Sequence, residues 1–167
     1  NIEFNIEGYP TTYFIKEVIK NQPNQVTLVP DPPEAITSSF GWNCKKHKTL
    51  LEEVIKEFQS HKIRVSLFIS PSINTLENLS DIKPDRVEFY TFDFAKNYII
   101  NKEESIKPYK LVAKFIETNL PYIKLNAGHD LNLNNLEYIL NQIPVIKEVS
   151  IGHALVLDTF TYGLENT

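Results

Sequence analysis

Leu50-Leu51-Glu52-Glu53-Val54-Ile55-Lys56-Glu57-Phe58, followed shortly by Arg64-Val65-Ser66-Leu67-Phe68-Ile69, is the stretch that decides the fold class. In its first part Leu50, Leu51, Val54, Ile55 and Phe58 recur at the spacing of one helical face, with lysine and glutamate opposite. The second part is almost continuously apolar. That is the pattern of a strand covered on both faces, as in a parallel sheet.

The same alternation extends in both directions. Upstream, Ile2 to Glu7 alternates apolar and polar residues and reads as a strand. A helix is expected from Pro10 to Asn21, with Phe14, Ile15, Val18 and Ile19 on one face. Gln25 to Val29 reads as a strand stopped by Pro30, Pro32 and Pro33, with a polar loop to about Lys45. Downstream, Ile73, Leu76 and Leu79 suggest a short helix, and Arg86 to Tyr90 a strand. Leu111, Val112, Phe115 and Ile116 mark a helix, and Tyr122 to Asn126 a strand. Asn132 is placed to cap a helix carrying Leu133, Leu136, Ile139 and Leu140. Glu148 to Gly152 reads as the last strand, and Leu155 to Leu164 as helical.

Six strand–helix units in strict alternation argue an α/β fold with a parallel sheet and helices outside it. They fit an open doubly wound sheet, or six of the eight units of a (β/α)8 TIM barrel, which runs to about 250 residues when complete. Periodicity alone does not choose. No linker or low-complexity stretch divides the chain, so residues 1–167 are expected to form one domain.

Composition narrows the function. The 167 residues are 42% hydrophobic and 23% charged, with net charge −4, which is unlike a nucleic-acid-binding protein. No apolar run approaches the roughly 20 residues of a membrane helix. One cysteine, Cys44, excludes an internal disulfide framework and fits a cytoplasmic setting. The chain starts at Asn1 and contains no methionine, so it is expected either to be a piece of a longer sequence or to lack some positions of the complete one.

In parallel α/β folds, sites form at the carboxyl ends of strands. Glu7, Asp31, Glu88 with Thr91 and Asp93, Asn126-Ala127-Gly128-His129 and Ile151-Gly152-His153 fall there. Glu7 has the alternative of a solvated loop residue. Glu88 lies between Val87 and Phe89 in a strand covered on both faces, where a carboxylate is costly unless partnered. It is either ion-paired, with Lys124 as the obvious candidate, or tuned for acid–base work. His129 and His153 each follow a glycine, so they either bond their own loops or face a ligand. Backbone N–H groups at those two strand ends are where barrels often hold phosphate. No glycine-rich nucleotide loop, nucleophile elbow or zinc spacing is present, and no metal is expected. Cys44 beside Lys45, Lys46 and His47 reads as an incidental loop cysteine. His47 and His61 are expected to face solvent. Phe40 and Trp42 are expected to close over a ligand or pack on a partner.

Several of these segments resemble one known family. Asn5-Ile6-Glu7 is similar to the third-strand motif of the pyridoxine 5′-phosphate synthases. Leu28-Val29-Pro30-Asp31, with Glu34, Thr37 and Gly41, resembles the family's next strand and its loop, V-P-E and then T-T-E-G-G. Val65 to Ile69 matches V-S-L-F-I, and Val87 to Thr91 is like I-E-hydrophobic-H-T-G. Leu125 to His129 and Ile151 to Ala154 look like N-A-G-H and I-G-H-A. The resemblance runs in order along essentially the whole chain.

It implies an eight-stranded barrel. It also implies condensation of 1-deoxy-D-xylulose 5-phosphate with 3-amino-2-oxopropyl phosphate to pyridoxine 5′-phosphate, inorganic phosphate and water. By the same resemblance the protein is a transferase-class, ring-closing enzyme of vitamin B6 biosynthesis. It needs no cofactor and forms a cytoplasmic homo-octamer. Carried over by motif, Glu7 is the catalytic acid/base, Glu88 a second carboxylate, and His129 a proton shuttle or holder of the leaving phosphate. Thr37, Asp130, Gly152 and His153 bind substrate and phosphate.

Departures from the pattern are equally specific. The T-T-E-G-G loop reads Thr37-Ser38-Ser39-Phe40-Gly41. Tyr90 stands for histidine, Phe92 for glycine, and Asp130 for glycine, where a carboxylate repels phosphate. The family's first two strands have no counterpart, so two unpaired sheet edges are expected. Two other readings remain: another phosphate-binding barrel aldolase or isomerase, for which Lys124 is the only strand lysine, and a non-catalytic barrel fragment.

Overall fold

In the computed structural model, residues 2–35 and 37–166 are described. Strands and helices alternate: β1 (Asn5–Gly8), α1 (Thr12–Asn21), β2 (Gln25–Leu28), α2 (Lys48–Ser60), β3 (Arg64–Ile69), α3 (Leu79–Ile82), β4 (Arg86–Tyr90), α4 (Phe92–Asn119), β5 (Lys124–Gly128), α5 (Leu136–Gln142), β6 (Ile146–Ser150) and α6 (His153–Tyr162). Single turns of 3₁₀ helix at Ile73–Leu76 and Leu164–Asn166 complete the order.

All six strands are parallel and pair in sequence order, with β1 and β6 at the edges. Strands lie about 4.8 Å apart, so β2 and β6 would be roughly 19 Å apart in a flat sheet. Yet the Gln25 amide on β2 donates to Glu148 Oε1 on β6 at 3.0 Å. The sheet is therefore curled into the arc of a barrel, and this decides against the open doubly wound alternative.

Each strand turns alternate residues to the two faces. Outward, Val26, Leu28, Val65, Leu67, Val87, Phe89 and Ala127 pack under Val18, Leu51, Ile55, Phe58, Val112, Ile116 and Ile139 of the helices, all buried. Inward, the amino ends of the strands are plugged by a polar network. Arg64 donates to Gln25 (2.7 Å) and Glu3 (2.5 Å), and Arg86 to Asn126 (3.0 Å) and Glu148 (2.5 Å). These charges are tolerated inside the arc because each has an opposite partner.

Local chemistry sets the element ends. The Thr11 hydroxyl accepts from Phe14 N–H at 3.0 Å and caps α1. The first strand lies later than alternation suggested: Ile2 and Phe4 are exposed, and pairing begins at Asn5. Asn132 does not cap a helix at Leu133. It accepts from Asn134 N–H in a turn, and α5 starts only at Leu136. The helix expected around Leu111 is much longer, running from Phe92 with a break at Asn101, whose side chain accepts from Glu104 N–H and restarts it.

Candidate active site

The carboxyl ends of the strands surround one cavity of about 970 Å³. It is lined by Glu7, Asp31, Thr37, Glu88, His129, Asp130, Gly152 and His153, among others. All seven residues singled out for catalysis or binding, and Asp31 besides, border this single space.

Glu88 is the most deeply placed, 1% exposed on the inner face of β4. Burial is the main force that pushes its carboxyl up to about 8; Glu7 and Glu148 add to this, while the Ser150 and Thr27 hydroxyls offset part of it. Its Oε2 has no hydrogen-bond partner among the described residues. The ion pair with Lys124 does not form. Lys124 lies at the exposed start of β5 with its ammonium 3.4 Å from the Pro121 carbonyl, so it is no lysine of the barrel interior.

Glu7 lies one residue before the end of β1 and is exposed to the open cavity. The protein around it still raises its carboxyl above the usual range, by burial first and then by the neighbouring Asp31. Asp31 itself is buried, and its Oδ1 accepts from the Ser39 N–H (2.9 Å) and hydroxyl (2.7 Å). That bond draws the 37–39 loop over the cavity. The sequence showed Asp31 only as a strand end. Its loop-holding role depends on a partner eight residues away.

His129 and Asp130 both have positive φ, 90° and 58°. This is a costly backbone for non-glycine residues, and surrounding structure must enforce it. The Thr91 N–H (2.9 Å) and hydroxyl (2.7 Å) both donate to the Gly128 carbonyl. The Asn132 and Asn135 amides donate to the Asp130 carbonyl at 3.3 and 3.2 Å. The clamped turn aims the His129 ring at the cavity, where Nε2 lies 3.1 Å from the Thr37 hydroxyl.

The departures from the family pattern gather around this ring. Tyr90 meets it edge-on at 4.8 Å between ring centres, and Phe92 at 6.0 Å. Asp130 Oδ2 lies 3.4 Å from its Nδ1. The Tyr90 hydroxyl also donates to the Ser38 carbonyl at 3.2 Å. Nothing in the chain order announces that these substitutions share one neighbour.

Gly152 and His153 open α6, with Gly152 at its N-cap. A Cβ at Gly152 would meet no protein atom within 4 Å, so the glycine faces open space, and the first amides of the helix are left without intrahelical partners. This is the arrangement that binds anions at helix N-termini.

Some expectations fail. Trp42 is 1% exposed and belongs to the core, its indole N–H donating to the Leu28 carbonyl; Phe40 is exposed. His47 is half-buried and packs edge-on against Trp42, 5.2 Å between ring centres. Cys44, read as incidental, is fully buried, and burial pushes its thiol up to about 12, so it is no reactive thiolate. Among the described residues no group of three or more His, Cys, Asp or Glu could hold a metal, and no helix is long and apolar enough to cross a membrane.

A curled parallel sheet with two carboxylates and a histidine gathered at its carboxyl rim defines a (β/α)-barrel protein with its candidate site at that rim. Its fold is similar to that of the solved "Native KDPGal structure", with a TM-score of 0.58 at 7% identity over 96% of this chain and 62% of that one. A mutant O-GlcNAc hydrolase of Thermobaculum terrenum gives 0.55 at 14% identity over 89% and 40%. In sequence, the pyridoxine 5′-phosphate synthase of Christiangramia forsetii is 45% identical over all of this chain and 70% of its own length. That of Cytophaga hutchinsonii is 47% identical over 99% and 68%. The model of the family "Pyridoxal phosphate biosynthesis protein PdxJ" matches residues 1–167, and the chain belongs to that family.

Proposed function

We propose that this protein is a pyridoxine 5′-phosphate synthase. It condenses 1-deoxy-D-xylulose 5-phosphate with 3-amino-2-oxopropyl phosphate to pyridoxine 5′-phosphate, phosphate and water, in vitamin B6 biosynthesis. Membership of the family supports the reaction. The observation that carries it to these residues is the convergence of Glu7, Glu88 and His129 on one cavity.

The chemistry requires imine formation, phosphate elimination and ring closure, each moving protons next to a carbonyl. Glu7, raised toward neutral pH, exchanges protons with the substrate carbon or nitrogen. Glu88, at about 8, is largely protonated at neutral pH and donates to a developing oxyanion or holds a proton in reserve. His129 shuttles protons from the opposite wall, next to Thr37. The amides of Gly152 and His153 at the α6 N-terminus take a substrate phosphate, and the backbone of Asp130 lines the same pocket. We place the protein in the cytoplasm as a homo-oligomer, an octamer by family resemblance, with phosphorylated small molecules as its ligands. The six units belong to one eight-unit barrel domain.

The test is product formation by the intact protein with both substrates. Wild type is expected to form pyridoxine 5′-phosphate, and Glu7→Gln to lose at least about 100-fold in kcat with unchanged circular dichroism. Full activity in Glu7→Gln would remove its role. No product from wild type would favour a non-catalytic barrel.

A further inference from the structure

Asp130 stands where the family pattern has glycine, and its side chain does something a glycine cannot. The positive φ values at His129 and Asp130 fold the carboxylate back toward the histidine next to it. Asp130 Oδ2 comes to 3.4 Å from His129 Nδ1. That nitrogen is buried and has no hydrogen-bond partner among the described residues. The turn is held by the side chains of Asn132 and Asn135, both of which grip the Asp130 carbonyl. On its other side the imidazole touches the Thr37 hydroxyl through Nε2, while Tyr90 and Phe92 close against the ring.

A carboxylate accepts hydrogen bonds and cannot donate them. Facing Nδ1, it favours the tautomer that carries the proton there. Nε2 is then the lone-pair nitrogen, accepting from Thr37 and facing the cavity. A histidine whose second nitrogen is oriented by a carboxylate is a prepared base, and the partner fixes both tautomer and ring plane. At 3.4 Å the carboxylate acts on the ring through its charge, from a distance longer than a formed hydrogen bond.

We propose that Asp130 is a positioning residue that sets His129 as the Nδ1–H tautomer, leaving Nε2 as the base toward substrate. The inference rests on the synthase reading for its catalytic meaning, but the tautomer itself does not depend on any activity.

The experiment is nitrogen-15 NMR of the histidine side chains in the intact protein, at about pH 8–9 where an ordinary imidazole is neutral. The His129 signals are assigned by their loss in His129→Gln. Wild type is expected to show Nδ1 protonated and Nε2 unprotonated. Asp130→Asn and Asp130→Gly are the two variants, because both residues accept positive φ and keep the turn. Each is expected to lose the Nδ1–H preference, and Asp130→Asn to reduce kcat about 10- to 100-fold with little change in KM. An Nε2–H tautomer in wild type, or an unchanged Nδ1–H preference in both variants, overturns the proposal. Absence of turnover in wild type, with the tautomer as expected, would overturn the synthase reading and leave the positioning of His129 standing.

Discussion

Gly128 exists for Glu88. A Cβ built on Gly128 would stand 2.3 Å from Glu88 Oε1 and 3.0 Å from the Ser150 Cβ, well inside contact distance. The glycine of the Asn-Ala-Gly-His segment invites an explanation in terms of a ligand approaching the backbone. The geometry gives a different one: β5 must lack a side chain here so that the carboxylate of β4 can occupy the barrel interior. Gly128→Ala is therefore expected to push Glu88 out of position. Product formation should fall by more than about 10-fold, and urea denaturation should show a loss of about 1–3 kcal/mol, as for overpacked cores. Unchanged activity and stability would show that Glu88 has room to move.

Glu88 predicts a pH dependence of stability. Its carboxyl is raised to about 8 in the folded protein, against about 4.5 for an ordinary glutamate. Between these values the folded state holds a proton that the unfolded state has released, so stability falls as pH rises through that window. Glu88→Gln keeps the shape and removes the ionisation. It should be more stable than wild type above pH 8 by an amount on the order of a few kcal/mol, and the advantage should shrink as pH falls from about 8 and be gone below about 4.5. Chemical denaturation of both proteins across this range checks it. A constant difference would mean that Glu88 titrates normally.

Tyr90 ties the loop over the cavity to the ring of His129. Tyr90→Phe keeps the edge contact with His129 and deletes only the bond to the Ser38 carbonyl. That bond is worth about 1 kcal/mol. The expected result is a KM raised by about 5-fold with kcat little changed, since the loop over the substrate loosens while the base stays in place. Steady-state kinetics separate this from a loss in kcat, which would instead assign the hydroxyl to the chemistry.

Period and residue type determined much of this protein without coordinates. The apolar run from Arg64 to Ile69 and the helical face of Leu51, Val54, Ile55 and Phe58 establish the β/α alternation, because local repeat spacing is a property of the chain itself. The carboxyl-end rule also brought Glu7, Glu88, His129 and Gly152 to one rim. Local pattern could not supply the curl of the sheet, which rests on contacts such as Gln25 to Glu148, 123 residues apart. Nor could it tell that Lys124 leaves Glu88 unpaired, that Trp42 is core, or that Tyr90, Phe92 and Asp130 surround one histidine. Those facts depend on which side chains the curled sheet brings face to face. Such proximity is set by strand register and curvature, which no short segment encodes alone.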